Sequence, residues 1–209
     1  MSEATIYLVK ALMDILSVAV LLTFLFRFLK VDYHNPIVQG MVRITDIFTS
    51  RVRRIIKPFY GLDLSSLLIV VLLQVFAFYL ISLSGSILLN VITMVSWALY
   101  STLLLSLRIL WWSLLAGIII SWVAPMSSHP AIRLVQQMSD QICKPFRFFL
   151  PPMGGLDFSP ILAFVILQFI QIALRNLALK ASLPIGLSVG PVSYTHLRAH
   201  ETSLHLVCR

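Results

Sequence analysis

Long apolar runs alternate along this chain with shorter segments in which basic and apolar residues recur at helical spacing. The apolar runs are Ile6–Phe28, Leu64–Leu83, Thr102–Val123 and Phe158–Leu179. A bilayer-spanning helix needs about 20 mostly apolar residues, and each run meets that length. From Leu64 to Trp122 the only charged residue is Arg108, which can snorkel from within the third run. The first run carries Lys10 and Asp14, four positions apart on one helical face, where they can neutralise each other. A cleaved signal peptide is the competing reading of that run. Its length, and the lack of a small-residue cleavage pattern after it, favour a retained span.

Between the first two runs, Ile37, Val38, Met41, Ile44, Phe48, Val52, Ile55 and Ile56 recur at three- and four-residue steps. Gln39, Arg43, Asp46, Arg53, Arg54 and Lys57 fall mostly elsewhere on the wheel. This predicts a basic amphipathic helix, which between two membrane spans lies flat in the headgroup layer. Anionic lipid headgroups are its expected partner. The run RVRR, Arg51–Arg54, would also attract a phosphate backbone. No aromatic or base-reading pattern accompanies it, so nucleic acid is not an expected partner.

Composition strengthens the membrane assignment. Of the 209 residues, 59% are hydrophobic and 11% charged, with a mean hydropathy of +0.94; soluble domains carry about 25% charged residues. The net charge is +8, and the two basic loops hold nine of the sixteen Lys and Arg residues. The last stretch, Pro191–Arg209, holds three of the five histidines and one of the two cysteines. Its core VSYTHLRAHET reads as the in-frame translation of a transposon-based sequencing adapter, so it is set aside as a non-native tail. That leaves Cys143 as a single cysteine, expected to be a small buried residue without a disulfide partner.

Displacing the chain by 94 residues, the separation of Asp63 and Asp157, superposes two halves. Pro36 falls on Pro130, Asp46 on Asp140, Arg53 on Arg147, Pro58 on Pro152, Gly61 on Gly155, Ser65 on Ser159 and Gln74 on Gln168. The chain therefore reads as a duplicated unit of span, basic loop and span: residues 1–84, residues 85–190, then the tail 191–209. Each loop opens on Asn35-Pro36 or His129-Pro130 and closes on GLDLSS or GGLDFSP. Pro151-Pro152 is expected to stop the second loop helix. Asp63 and Asp157 stand where a helix N-cap belongs, with Ser65, Ser159 and Pro160 in the first turn. An unmet amide in lipid costs several kcal/mol, which makes such caps valuable. Two readings follow: structural caps, one per repeat, or two Asp-Ser corners lining a shared polar cleft. Gln74 and Gln168 each lie 11 residues after their Asp, about 16 Å along a helix and near the bilayer centre. They are expected to hydrogen-bond between helices or to line a polar path.

The fold expected is all-α and polytopic, with four spans in two parallel repeats, each with a basic interfacial loop helix. Ser86–Leu107 leaves a fifth span open, although Ser106–Ile109 has neither Gly nor Pro for a turn. The loop cations Arg43, Arg51, Arg53, Arg54, Lys57, Lys144 and Arg147 predict cytoplasmic loops and external termini, as expected for a bacterial inner-membrane protein. No nucleophile–base set, phosphate loop, paired CxxC or HExxH motif is present, so no catalytic, cofactor or metal residues are assigned. His34 and His129 lie one residue out of register and do not form a ligand pair.

The two loop-and-corner copies, NPIVQGMVRITDIFTSRVRRIIKPFYGLDLSS and SWVAPMSSHP…KPFRFFLPPMGGLDFSP, resemble the YggT family of integral membrane proteins. The first copy departs from the pattern at Ser66, where the second has Pro160, and at Arg27, where the second has Ser121. The resemblance implies a non-enzymatic membrane organiser or assembly factor. It links such proteins to osmotic-stress tolerance, to cell division and, in plastids, to haem attachment in cytochrome assembly. A small transporter or channel for ions or osmolytes is the alternative. Other membrane proteins or a second copy of the chain are the expected protein partners.

Overall fold

The computed structural model describes residues 3–56, 63–83, 90–150 and 157–180. Six helices follow one another: α1 Glu3–Phe28, α2 Pro36–Ile55, α3 Leu64–Leu83, α4 Val91–Val123, α5 Pro130–Phe149 and α6 Ser159–Lys180. No strand occurs among the described residues. Four helices, α1, α3, α4 and α6, are long and apolar enough to cross a membrane. The order of spanning helix, amphipathic helix and spanning helix occurs twice, as α1–α3 and α4–α6. Residues Lys57, Pro58, Gly61, Pro152 and Gly155, and the tail from Pro191, lie outside the described residues. Residues through Phe169 form one compact body and the helical residues 170–180 belong to a second.

The fifth-span alternative is not what forms. Residues from Val91 onward join the third span in one 33-residue helix, about 50 Å long at ~1.5 Å per residue. With no Gly or Pro near Arg108, every backbone amide there finds its carbonyl in an unbroken helix. A helix of that length exceeds the ~30 Å hydrocarbon core, so it must tilt or project from it.

The helix ends follow local chemistry. The Asn35 side chain accepts a hydrogen bond from the Ile37 amide at 2.9 Å, and Pro36 takes the first helical position. His129 does the same through Nδ1, which accepts from the Ala131 amide at 3.3 Å ahead of Pro130. α1 closes with Lys30 in the left-handed region, at φ 52°. The Lys30 amide donates to the Arg27 carbonyl at 3.1 Å and the Val31 amide to the Phe26 carbonyl at 2.9 Å. This is a Schellman closure, with buried Val31 as its apolar anchor. α5 runs through Pro145 and ends at Phe149, so the proline that interrupts its hydrogen bonding sits inside the helix.

α1 and α3 pack through a core of Val20, Leu21, Leu25, Ile69 and Val70, which Val52 of α2 joins from the side. α3 meets α4 where Phe78 and Trp97 contact edge to face, with centroids 5.6 Å apart. At the α1–α2 crossing the Thr23 and Thr45 hydroxyls hydrogen-bond at 2.9 Å. The repeat-related crossing of α4 and α5 uses Gly117 and Ser139. A Cβ on Gly117 would overlap the Ser139 side chain, so the two helices touch only because Gly117 has none. The two amphipathic helices meet at their starts, where the Asn35 Nδ2 donates to the Pro130 carbonyl at 2.7 Å. Both repeats therefore present their loop helices at the same end of the bundle.

Candidate functional site

The corner of the first repeat is an ion-pair cluster. Asp46 and Arg53 lie two turns apart on α2, so their side chains share a face. Arg53 donates to Asp46 at 3.1 Å and to Asp63 at 3.0 Å. Arg27, in the last turn of α1, donates to the same Asp63 oxygen. The Ser66 hydroxyl donates to Asp63 at 2.8 Å, and the Asp63 side chain is 1% exposed. The Ser66 amide approaches the other carboxylate oxygen at 3.4 Å, which makes Asp63 the N-cap of α3. Ser65 closes the corner by donating to the Ile56 carbonyl at 2.8 Å. Two guanidinium groups thus face two carboxylates, and three helices are tied at one point.

The second corner repeats the grammar with a part missing. Arg147 donates to Asp140 at 2.8 Å and to Asp157 at 2.8 Å. Asp157 accepts the Ser159 amide at 2.9 Å. α6 begins at Ser159, so Asp157 stands one residue before the N-cap, whereas the sequence placed it at the cap. The place of Arg27 is taken by Ser121, whose hydroxyl bonds back to the Ile118 carbonyl at 2.7 Å. The buried Ser159 hydroxyl has no hydrogen-bond partner among the described residues. The side chains of Arg147 and Asp157 are 37% and 29% exposed. Beside them opens a cavity of about 590 Å³ lined by Gly117, Ser121, Ser139, Asp140, Cys143 and Arg147, with Trp122, Phe158 and Ile161 at its apolar edge. Burial pushes the Asp157 carboxyl up, but the hydrogen bonds from Ser159 and Arg147 outweigh it and hold it below the ordinary carboxylate value. Arg147 is held above its ordinary value, first by the hydrogen bond to Asp140. Burial pushes the Cys143 thiol up, away from thiolate chemistry.

A third polar group lies within the spans. Lys10 donates to Gln74 Oε1 at 2.7 Å and also pairs with Asp14. Gln74 Nε2 donates to Asp14 at 2.8 Å and to Ser17 at 3.1 Å. Lys10, Ser17 and Gln74 are buried. Gln74 therefore bridges α3 to α1. Gln168, its repeat mate, lies on an exposed face of α6, so the two glutamines are not brought together.

The outward face of α2 carries Ile37, Ile44 and Phe48 of the stripe read in the sequence. Val38, Thr45 and Thr49 are the buried positions. Ile44, Ile47 and Phe48, at helical spacing, are exposed, as are Arg43, Arg51 and Arg54. On α5, Lys144, Phe148 and Phe149 are exposed. Where α2 and α5 begin, Asp32, His34, Asn35, Arg133 and Gln137 line a cavity of about 170 Å³. There the His34 amide, then its ring, hold the Asp32 carboxyl below its ordinary value. Among the described residues no three His, Cys, Asp or Glu side chains gather as a metal site.

Sequence reading isolated Asp63, Asp157, Arg53, Arg147 and Gln74, but not Arg27, Thr23, Thr49 or Gly117. Arg27 was visible as a departure between the copies; its partner was not.

A family model described as CCB3/YggT matches twice, over residues 2–84 and 96–178. An uncharacterized protein of Pseudomonas aeruginosa is 34% identical over 90% of this chain and 98% of its own length. The uncharacterized protein YggT of Escherichia coli K12 is 28% identical over 81% of this chain and 88% of its own. A Vibrio alginolyticus protein described by its place in the proC 3′ region is 31% identical over 78% of this chain and 89% of its own. No solved structure matches the chain.

Proposed function

The chain belongs to the CCB3/YggT family, and from that premise we propose that it is a non-catalytic protein of the bacterial inner membrane whose paired interfacial helices organise lipid and partner proteins at the cytoplasmic surface. The observation that carries this reading is the outward face of α2. Ile44, Ile47 and Phe48 are exposed beside Arg43, Arg51 and Arg54. Apolar groups next to cations suit the boundary between acyl chains and anionic headgroups, where both are satisfied at once. The Asp63 cluster fixes the angle at which that face is presented. Osmotic tolerance and division are the cellular settings in which such an organiser would act.

The test places an environment-sensitive fluorophore at Phe48→Cys in a Cys143→Ser, Cys208→Ser background, in vesicles of rising anionic content. The emission should shift to the blue as anionic lipid increases and should lose that response at high salt. Arg43→Glu with Arg51→Glu and Arg54→Glu should abolish the response and fail to restore growth of a deletion strain at high osmolarity. A blue shift indifferent to salt and to charge reversal would end the proposal.

One observation favours a second reading, transport of ions or osmolytes. Ionisable groups within spans mark pathways by default, and Lys10, Asp14 and Gln74 are joined there. Gln74→Leu should then reduce flux through proteoliposomes of the parent protein at least tenfold; absence of flux in the parent removes this reading.

A further inference from the structure

The two repeats are each other's comparison structure. At the first corner two cations, Arg27 and Arg53, meet two carboxylates, Asp46 and Asp63. At the second, among the described residues, Arg147 alone meets Asp140 and Asp157. The missing charge is at Ser121, the repeat mate of Arg27, and the missing volume is beside it, as the cavity of about 590 Å³. We propose that this second-repeat cleft binds the primary ammonium headgroup of a phospholipid, which takes the place that the Arg27 guanidinium fills in the first repeat. This goes beyond the organiser reading, which concerns the outward face of α2, and stands without it.

Four observations support the assignment. The carboxylate equivalent to Asp157 already holds such a cation, since Asp63 accepts from Arg27. Asp157 has one oxygen on the Ser159 amide and one on Arg147, which leaves lone pairs for further donors. Among the described residues, the Ser159 hydroxyl has no counterpart of the bond that its mate Ser65 makes to the Ile56 carbonyl. The cleft combines polar lining residues, Ser121, Ser139 and Asp140, with apolar ones, of which Trp122 is 85% and Ile161 61% exposed.

Size and position select a lipid over a protein side chain. Ligand pockets run from roughly 300 to 1,000 Å³, a range that contains this cleft and is larger than one guanidinium requires. The cleft lies at the last turns of α4 and the first turn of α6, where spanning helices leave the hydrocarbon and headgroups are always at hand. An ammonium group donates three hydrogen bonds and brings the one positive charge the corner lacks. Acyl chains would lie along the exposed Ile161 and Val165 of α6, while the phosphodiester stays in the headgroup layer.

The experiment uses the full chain purified in detergent and titrated with dioleoyl phosphatidylethanolamine, phosphatidylcholine or phosphatidylglycerol, read by native mass spectrometry and by thermal unfolding. The parent should retain one phosphatidylethanolamine per chain at least about tenfold more strongly than either other lipid. Ser121→Arg should supply the cation internally, cut that retention about tenfold and raise the unfolding midpoint. Asp140→Asn removes one carboxylate from a side chain that is 63% exposed, so it leaves the fold intact and should also erase the preference. Equal retention of the three lipids, or undiminished preference in both variants, overturns the proposal. Stabilisation by ethylammonium chloride without lipid retention would assign the cleft to a soluble cation instead. A dimer abolished by Asp140→Asn would assign it to a second copy. Either result overturns the lipid assignment.

Discussion

The first corner is shut and the second is open, although their sequences share the three residues that form the ion pairs. Asp46, Arg53 and Asp63 have the mates Asp140, Arg147 and Asp157, and the same ion pairs form in both places. What differs is a residue one helix away. Arg27 reaches Asp63 from α1 and shuts water out, whereas Ser121 folds back on its own helix and leaves a cavity. A repeated motif therefore specifies pairing but not burial. Burial depends on whether a neighbouring element brings both the charge and the volume to close the corner.

The sharpest way to break this comparison is to neutralise the two aspartates in turn. Asp63→Asn leaves Arg27 and Arg53 without their buried partner and should cost about 3–5 kcal/mol. Asp157→Asn removes a partly exposed pair and should cost about 0–1 kcal/mol. Loss of helical signal in a denaturing-detergent titration measures both, and equal losses would mean that the corners are not different in kind.

Next come the two helix crossings. Gly117→Val would drive a side chain into Ser139 and should cost about 1–3 kcal/mol, as overpacking does. Thr23→Val removes one hydroxyl from the Thr23–Thr45 bond and should cost about 1 kcal/mol. The same titration should rank them in that order. A tolerated Gly117→Val would show that the α4–α5 crossing can spread.

A smaller effect is expected at the end of α1. Lys30 holds a left-handed conformation that costs a side-chain-bearing residue about 1 kcal/mol, so Lys30→Gly should raise the unfolding midpoint slightly. The second repeat ends α4 differently, with φ −143° at Ala124, and Ala124→Gly should give no such gain.

The smallest effect is a pH dependence at the open corner. The Asp157 carboxyl lies below its ordinary value in the folded chain, so its unfolded value is the higher of the two. Its contribution to stability is then fully present above the ordinary carboxylate pKa of about 4 and disappears as the pH falls through the folded value. The stability difference between the parent and Asp157→Asn should shrink over that acid window and stay flat at neutral pH. A difference that grows on acidification would contradict the ion-pair geometry.

Much of the architecture was legible from residue order. Apolar runs of spanning length and the helix starts at Pro36 and Pro130 are set by side chains within a turn or two of one another, and the duplication is read by matching residues 94 apart. They determined four spanning helices, two amphipathic helices and the duplicated plan. The amphipathic character of α2 was legible, but not that Thr45 and Thr49 would be buried where their hydroxyls bond to neighbouring carbonyls and to Thr23.

The sequence by itself thus determined which segments are long and apolar enough to span a membrane, and that the plan occurs twice. Only the tertiary structure decided that Gln74 joins Lys10 and Asp14 while Gln168 faces outward, and that one corner closes while its copy stays open. The physical reason is range. Hydrophobic periodicity and capping are satisfied within one helix, but a buried charge is satisfied only by what another helix brings to it, and Arg27 and Asp63 are 36 residues apart.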